Sequence, residues 1–111
     1  MTFDAYSKQF KNLVRVEKPD GDLEDFTTTD STWSLAFKQW AEIIPLTGDE
    51  ELTARQINPR ASHRIRMRWS DGVDTTRIRF VHDGRTFWVA SHRNLDYRNR
   101  VIEFICSEEK S

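Results

Sequence analysis

Histidine and cysteine are the residue types of this chain that could perform acid–base, nucleophilic or metal chemistry. The three histidines, His63, His82 and His92, fall on different predicted strands, with no cysteine or carboxylate at metal-ligand spacing. The single Cys106 lies in an apolar run and is expected to be buried. The sequence contains no glycine-rich phosphate loop, no HExxH motif and no nucleophile elbow. We therefore predict no catalytic site, no metal site and no cofactor, and a non-enzymatic role.

Arginine gives this chain its most distinctive chemistry. Residues 55–100 contain eleven arginines, no lysine and four aspartates, a net charge of +7, whereas residues 1–54 carry −6 and the whole chain −1. Guanidinium groups bind carboxylates and phosphates through paired hydrogen bonds. Opposite charges on two parts of one domain favour head-to-tail contact between copies, and they are equally compatible with a basic surface for nucleic acid. Charges that only keep a β protein soluble are the third interpretation.

The length of 111 residues permits one domain. We predict it over residues 9–108, with an N-terminal arm at 1–8 and a frayed C-terminus at 109–111. No segment has the length and apolarity of a membrane span, and the N-terminus has no apolar signal core. One cysteine cannot form an internal disulfide and suits a reducing compartment. These features predict a soluble protein made in the cytoplasm.

Alternating apolar and polar residues predict an all-β fold, a six-stranded antiparallel β-barrel or sandwich. The predicted strands cover residues 10–18, 33–47, 61–69, 76–82, 85–91 and 100–108. Residues 20–32 are acidic and rich in threonine, and are expected to form an exposed loop. Asp83-Gly84 predicts a tight hairpin between the fourth and fifth strands. In the long second strand, alternation would place Trp33 and Leu35 on the same face as Phe37.

The third strand alternates strictly, so Ile65 and its apolar neighbours face one way and the arginines between them face the other. Pairing with the fourth strand, which carries Arg77 and Arg79, would set guanidinium groups side by side, and like charges directly opposite are destabilising. Something must then offset the repulsion. The candidates are the carboxylates of Glu42 and Glu103, a neighbouring subunit, or bound phosphate.

A short helix is predicted between the second and third strands. Thr47-Gly48-Asp49-Glu50 has the pattern of a capping box, in which each outer side chain bonds the other residue's backbone amide. Asn58-Pro59 would end the helix after about two turns. Because so short a helix is marginal alone, residues 47–60 are predicted to be the moving part of the domain. Trp40 and Pro45-Leu46 are assigned to the exit of the second strand rather than to a partner contact.

Four motifs follow one another along the chain. They are Trp40-Ala41-Glu42 with Pro45-Leu46-Thr47-Gly48, the strand His63-Arg64-Ile65, the turn Asp83-Gly84-Arg85, and the basic turn Arg98-Asn99-Arg100. In this order and spacing they resemble the head–tail joining proteins of tailed bacteriophages, also called head-closure, adaptor or stopper proteins. The resemblance covers about residues 9–108 of the chain.

The resemblance implies a small β-barrel that assembles as a ring, commonly a dodecamer, at the head–tail interface of the virion. The implied partners are the portal or adaptor protein, the tail or tail-completion protein and packaged double-stranded DNA, with no membrane. The segment between the second and third strands would face the central channel and help to retain DNA, through Thr47, Glu50, Glu51, Arg55 and Arg60. The candidate subunit or partner contacts are Glu42, Arg64, Arg66, Arg68, Arg77, Arg79, Arg98 and Arg100.

Two other functions stay open on the sequence alone. A single-stranded nucleic-acid-binding barrel of the OB type would combine a basic groove with stacking aromatic residues. Against it, alternation puts Trp69 on the face opposite the arginines of its own strand. Such a barrel should bind oligonucleotide as a monomer with a steep salt dependence, which a closure ring should not. The other alternative is a virion interaction module that does not gate DNA.

Overall fold

The strands close into a barrel in which every strand is hydrogen-bonded on both sides. The structure, a computed structural model, describes residues 9–19, 33–70, 77–95 and 100–109. The strands are β1 (Asn12–Pro19), β2 (Trp33–Pro45), β3 (His63–Arg68), β4 (Arg79–His82), β5 (Arg85–Asn94) and β6 (Val101–Glu109). All pairings are antiparallel, in the order β1-β2-β3-β6-β5-β4, and the helix α1 (Gly48–Ile57) joins β2 to β3. The predicted fold class is confirmed. The predicted arm at 1–8, the loop at 20–32 and the turn at Arg98-Asn99 lie outside the described residues.

Aliphatic and aromatic side chains fill the barrel interior. Phe80 of β4 and Phe104 of β6 meet edge to face, with ring centroids 4.9 Å apart. Ile65 and Met67 are fully buried, as the alternation of β3 predicts. Cys106 is buried as expected, and burial raises the pKa of its thiol. Since each large apolar side chain contributes about 1.5–3 kcal/mol when fully buried, this interior is the main source of stability.

A bulge in β2 overturns the prediction that Trp33 and Leu35 share a face with Phe37. In β1, Val16 pairs with Phe37, but the next residue, Glu17, pairs with Leu35. The register therefore skips Ala36 of β2. One extra residue on a strand bends it and changes the direction of the side chains before it. As a result Leu35 is 43% exposed, and Trp33 packs on the outside of the barrel.

The expected pairing of the third and fourth strands is wrong. β3 lies between β2 and β6, and β4 lies between β1 and β5. The register sets Arg66 opposite Glu103 of β6, and Arg79 opposite Glu17 of β1. Each arginine therefore faces a carboxylate instead of another arginine, which removes the like-charge repulsion of the expected hairpin. Of the two carboxylates considered from sequence, Glu103 binds two guanidinium groups of β3, those of Arg64 and Arg66.

The backbone confirms the predicted hairpin turn, and it ends β2 two residues before the predicted end at Thr47. Asp83 and Gly84 have φ values of 52° and 76°, and two positive φ values in succession are the mark of the type I′ turn that joins hairpin strands. β2 ends at Pro45, where the missing amide hydrogen cannot extend the ladder. β6 runs one residue beyond its predicted end, to Glu109.

Helix α1 begins after Thr47 as predicted, but without the capping box. The Thr47 side chain forms no cap hydrogen bond, and the Glu50 carboxylate accepts a hydrogen bond from Arg64 instead. An ion pair with a guanidinium group is a stronger interaction for this carboxylate than a neutral backbone amide. The helix spans ten residues, longer than the two turns expected, before Asn58 ends it. Within the described ranges, no helix has the length and apolarity to cross a bilayer.

Candidate functional site

Helix α1 lies over the outer face of β3, β6 and β5 and forms one wall of a groove there. Leu46, Ala54 and Ala61 make a small buried cluster against Ile105, which projects outward from β6. The groove has a volume of about 580 Å³. Its charged lining residues are Asp49, Glu50, Arg64, Arg93 and Glu103. The groove therefore has an apolar floor and a rim of both charge signs.

Glu103 holds a carboxylate at the base of this groove. Because Phe104 fills the interior, strand alternation directs Glu103 outward, beneath the arginines of its neighbours. Its side chain is only 7% exposed; it accepts hydrogen bonds from Arg66 Nε at 2.7 Å and from Arg93 Nη2 at 3.2 Å. Arg64 Nε lies 3.5 Å from the same carboxylate. Several cations around one carboxylate offset the cost of removing it from water.

Arg64 connects the helix to the sheet. Its Nη1 donates a hydrogen bond to Glu50 Oε2 at 2.7 Å, while its buried Nε faces Glu103 without forming a hydrogen bond. The Glu50 side chain is 54% exposed. An ion pair with so exposed a partner is worth about 0–1 kcal/mol, so it orients α1 more than it anchors it.

Few other contacts hold helix α1 on the barrel. Among its described side chains, Ala54 is the buried one, and Leu52 is 66% exposed. Glu51 and Arg55 pair with each other along the helix rather than with the barrel. Since isolated helices of this length are marginal, the stability of α1 depends on this small contact.

A second charged cluster covers the outer face of β1, β4 and β5. The Glu17 side chain, 9% exposed, accepts a hydrogen bond from Arg79 Nε at 2.8 Å. The Arg79 guanidinium lies over Trp33 and Trp88, at 4.7 and 5.4 Å from their ring centroids. The Trp88 indole donates to Glu109 at 2.7 Å. These cationic and aromatic groups bind one another and two carboxylates, which makes the cluster a structural feature of the barrel wall.

His63 lies at the start of β3, with its ring 5.1 Å from that of Phe87. Its Nδ1 is 2.8 Å from Ser62 Oγ, and its Nε2 is 3.9 Å from the Glu108 carboxylate. Burial lowers the pKa of His63 below its ordinary 6.5; Glu108 acts in the opposite direction, and Arg85 adds to the lowering. Burial is the largest of these effects, so the folded protein favours the neutral ring.

This imidazole should make the protein less stable in mild acid. As the pH falls below about 6.5, the unfolded chain takes up a proton at His63 before the folded chain does, so stability falls with pH. His63→Gln removes this contribution. We expect the difference in unfolding free energy, wild type minus variant, to be larger at pH 8 than at pH 5, as measured by urea titration. A difference that is constant or increases toward pH 5 would contradict the lowered pKa.

The structure separates the predicted interface residues into two groups. Arg64 and Arg66 share Glu103, and Arg79 binds Glu17, all within one copy of the chain. The others among the described residues are not part of these two carboxylate clusters, although Glu42 is opposite Arg66 in the β2–β3 ladder. These are Glu42, Arg68, Arg77 and Arg100; Arg98 is outside the described ranges.

The predicted channel residues lie together on or beside α1. Thr47, Arg55 and Arg60 are exposed, whereas Glu50 and Glu51 are each bound to an arginine. Across the described ranges, no three side chains of histidine, cysteine, aspartate or glutamate come close enough together to hold a metal ion.

Sequence reasoning missed the exposure of Trp40. Its side chain is 53% exposed and pairs across the ladder with Leu13 of β1, itself 41% exposed. The signal was present, because alternation puts Trp40 on the same face as the polar Lys38 and Glu42. Glu17 was missed as well, although it directly follows the buried Val16 and so had to face outward.

The chain is similar to known proteins in two comparisons. A family model described as phage head completion protein matches residues 7–109. Among solved structures, the chain is similar to the solution structure of protein SF1141 from Shigella flexneri 2a, with 15% sequence identity and a TM-score of 0.71, over 93% of this chain and 96% of that one. At this identity the similarity shows the fold alone. No curated protein matches the sequence.

Proposed function

The chain belongs to the phage head completion protein family, and from that membership we propose that its copies form a ring between head and tail that helps to retain packaged DNA. As a family member it is a structural protein of the phage head, located in the virion and in contact with other head or tail proteins. We propose further that this ring is a dodecamer. Its partners are the portal or adaptor protein on one side, the tail or tail-completion protein on the other, and double-stranded DNA in the channel, toward which residues 47–60 project.

The position of α1 is the observation that carries this proposal. The barrel interior is filled by side chains, so DNA must pass between copies and not through one. Helix α1 is attached to the outside of the barrel, with Ala54 as its buried contact. An element carried on the outer wall can reach a channel between copies, and can move there, without disturbing the core.

The charges along the segment suggest which part of it meets DNA. Glu50 and Glu51, in the first turn of α1, would repel phosphate, and both are bound to arginines. Arg55 and Arg60 lie in the second half and are exposed. The Arg60 amide donates to Asn58 Oδ1 at 2.9 Å, which fixes the turn that presents this side chain. We therefore assign the DNA contact to residues 55–60.

A photo-crosslinking amino acid at position 60 tests this assignment in assembled particles. We expect crosslinks to DNA from position 60 and none from position 18, because exposed Lys18 pairs with Ser34 at the end of the barrel away from α1. DNA recovered on the protein after nuclease digestion is the measurement. Equal crosslinking from both positions, or none from position 60, would count against a channel-facing segment.

Charge reversal tests retention itself. We expect particles with Arg55→Glu and Arg60→Glu to incorporate the protein normally but to lose DNA several-fold faster on storage, since two attractive contacts per copy become repulsive. Lys18→Glu is the matched control for an exposed cation elsewhere. Arg60→Glu is at an exposed position and should shift stability by less than about 0.5 kcal/mol, whereas Arg55→Glu also breaks the exposed pair with Glu51 and should cost about 1 kcal/mol. Unchanged retention would leave a ring that does not gate.

Oligonucleotide binding by the isolated wild-type protein tests the nucleic-acid-binding alternative. In the Arg79, Trp33 and Trp88 cluster a guanidinium group lies over two indole rings. If it bound single strands, the isolated monomer would bind oligonucleotide with an affinity that falls steeply with salt. We expect no such binding, because Glu17 and Glu109 already occupy the polar groups of this cluster.

A further inference from the structure

We propose that neighbouring copies join through two apolar patches on opposite sides of the barrel: Trp40 and Leu13 of one copy pack against Leu52 on α1 of the next. The inference rests on the proposed ring and names the surfaces that would build it. It adds residues that the arginine-based prediction of the interface did not include.

The first surface, the Trp40 patch, consists of Leu13 and Trp40. The two residues are directly opposite each other in the β1–β2 ladder, and both project from the outer face. They are 41% and 53% exposed, respectively, although each is large and apolar. Beside them, Phe10 and Arg68 border a surface depression of about 350 Å³. An exposed tryptophan next to such a depression is the type of residue that contributes most to protein interfaces.

Basic side chains surround the Trp40 patch. Arg15 and Lys38 form the next cross-strand pair on the same face, and both are exposed. Arg68 lies on the other side of the tryptophan. The carboxylates on this side are Glu42, which is opposite Arg66 of β3, and Glu17, which accepts a hydrogen bond from Arg15 Nε at 3.2 Å. The patch thus suits a partner with an apolar residue among acidic ones.

The second surface, the Leu52 patch, has that composition. Leu52 is the most exposed of the large apolar residues, at 66%. Two helical positions separate it from Ala54, about 200° around α1, so it points away from the barrel that Ala54 contacts. Asp49, three positions before Leu52 and so on the same face of α1, is exposed and acidic. Apolar contact and charge therefore complement the Trp40 patch.

The placement of the two patches allows a closed ring. Helix α1 lies over β6, and β6 is three strands away from β1 in either direction around the barrel. The Trp40 patch and the Leu52 patch are therefore on nearly opposite sides. Different patches on opposite sides give head-to-tail contacts, which generate rings, whereas a two-fold dimer would need one self-complementary patch.

Cysteine crosslinking in assembled particles tests this contact. We expect a chain with Leu13→Cys and Leu52→Cys to give a ladder of multimers on denaturing gels after treatment with a short bismaleimide. Each single variant should stay monomeric. The native Cys106 is buried and contributes no background. All substituted positions are exposed, so the fold should tolerate them.

Three outcomes would overturn the inference. These are no multimers from the double variant, dimers from Leu13→Cys alone, and crosslinks from either single variant to another head or tail protein. The first would show that other surfaces join the copies, the second a two-fold contact, and the third a different occupant. In each case the DNA crosslink from position 60 is scored separately, so the proposed function can survive the loss of this contact.

A substitution that removes only the apolar contact gives a second measurement. Trp40→Ala should weaken the association between copies by about 30-fold or more, the range of an interface hot spot. Leu35→Ala is the matched control, because Leu35 is similarly exposed, at 43%, but lies beyond the bulge of β2. Ring occupancy on particles at limiting protein concentration is the readout. Equal occupancy for both variants would contradict the proposal.

Discussion

Replacing Phe80 by alanine should lower the unfolding free energy by about 4 kcal/mol, the largest effect we expect of any single substitution. Phe80 is fully buried in β4, a strand of only four residues, and meets Phe104 edge to face at 4.9 Å. β4 is the sole link between β1 and β5 in the closed order. The substitution would leave a cavity beside β4, the strand with the shortest ladders to its neighbours.

Urea titration monitored by tryptophan fluorescence measures this loss, and hydrogen exchange locates it. Amide protection should fall first in the β1–β4 and β4–β5 pairings. Leu35→Ala also truncates a large apolar side chain, but at an exposed position, and should change stability by less than about 0.5 kcal/mol. A loss below about 1 kcal/mol for Phe80→Ala would show that the barrel does not depend on β4 for closure.

Replacing Glu103 by glutamine should cost about 3 kcal/mol, because removing one partner of a buried ion pair leaves the other charge uncompensated. The carboxylate is 7% exposed and lies within 3.5 Å of Arg64, Arg66 and Arg93. Glutamine keeps the shape of the side chain but not its charge. The loss should also loosen α1, since Arg64 orients that helix through Glu50.

The matched control is Glu51→Gln, which breaks the exposed pair with Arg55 on α1 and should cost less than about 1 kcal/mol. Adding Arg66→Met to Glu103→Gln should recover part of the loss, because it removes one of the cations that lost its partner. Chemical denaturation of the three variants in parallel measures these differences. Equal small losses for Glu103→Gln and Glu51→Gln would mean that solvent reaches the groove base.

Local patterns in the sequence were sufficient for most of the fold. The alternation around Ile65 follows directly from the two-residue period of a strand, and Asp83-Gly84 supplies the positive φ values that a type I′ turn needs. The bulge at Ala36 could not be read in the same way. It depends on which residue of β1 lies opposite, and a register between distant strands leaves no local mark in the sequence.

The candidate site was predictable in position but not in its contacts. The segment between β2 and β3 was identified from Thr47 and Asn58, the two ends of α1. The partner of Glu50 was not, because Arg64 is fourteen positions away and only the packing of α1 on β3 brings the two together. The capping pattern offered Glu50 a local hydrogen bond, and a charged partner from the tertiary structure replaced it.

The closed order of strands around the barrel affects how copies of this chain can associate. Because every strand of the closed barrel has a hydrogen-bonded neighbour on each side, only partial strand edges, such as β2 before Ala41, offer free backbone groups on which another chain could add a strand. Growth into fibrils by backbone pairing is therefore limited by the fold. Contacts between copies are therefore expected to form mainly through side chains, and such contacts can dissociate and form again.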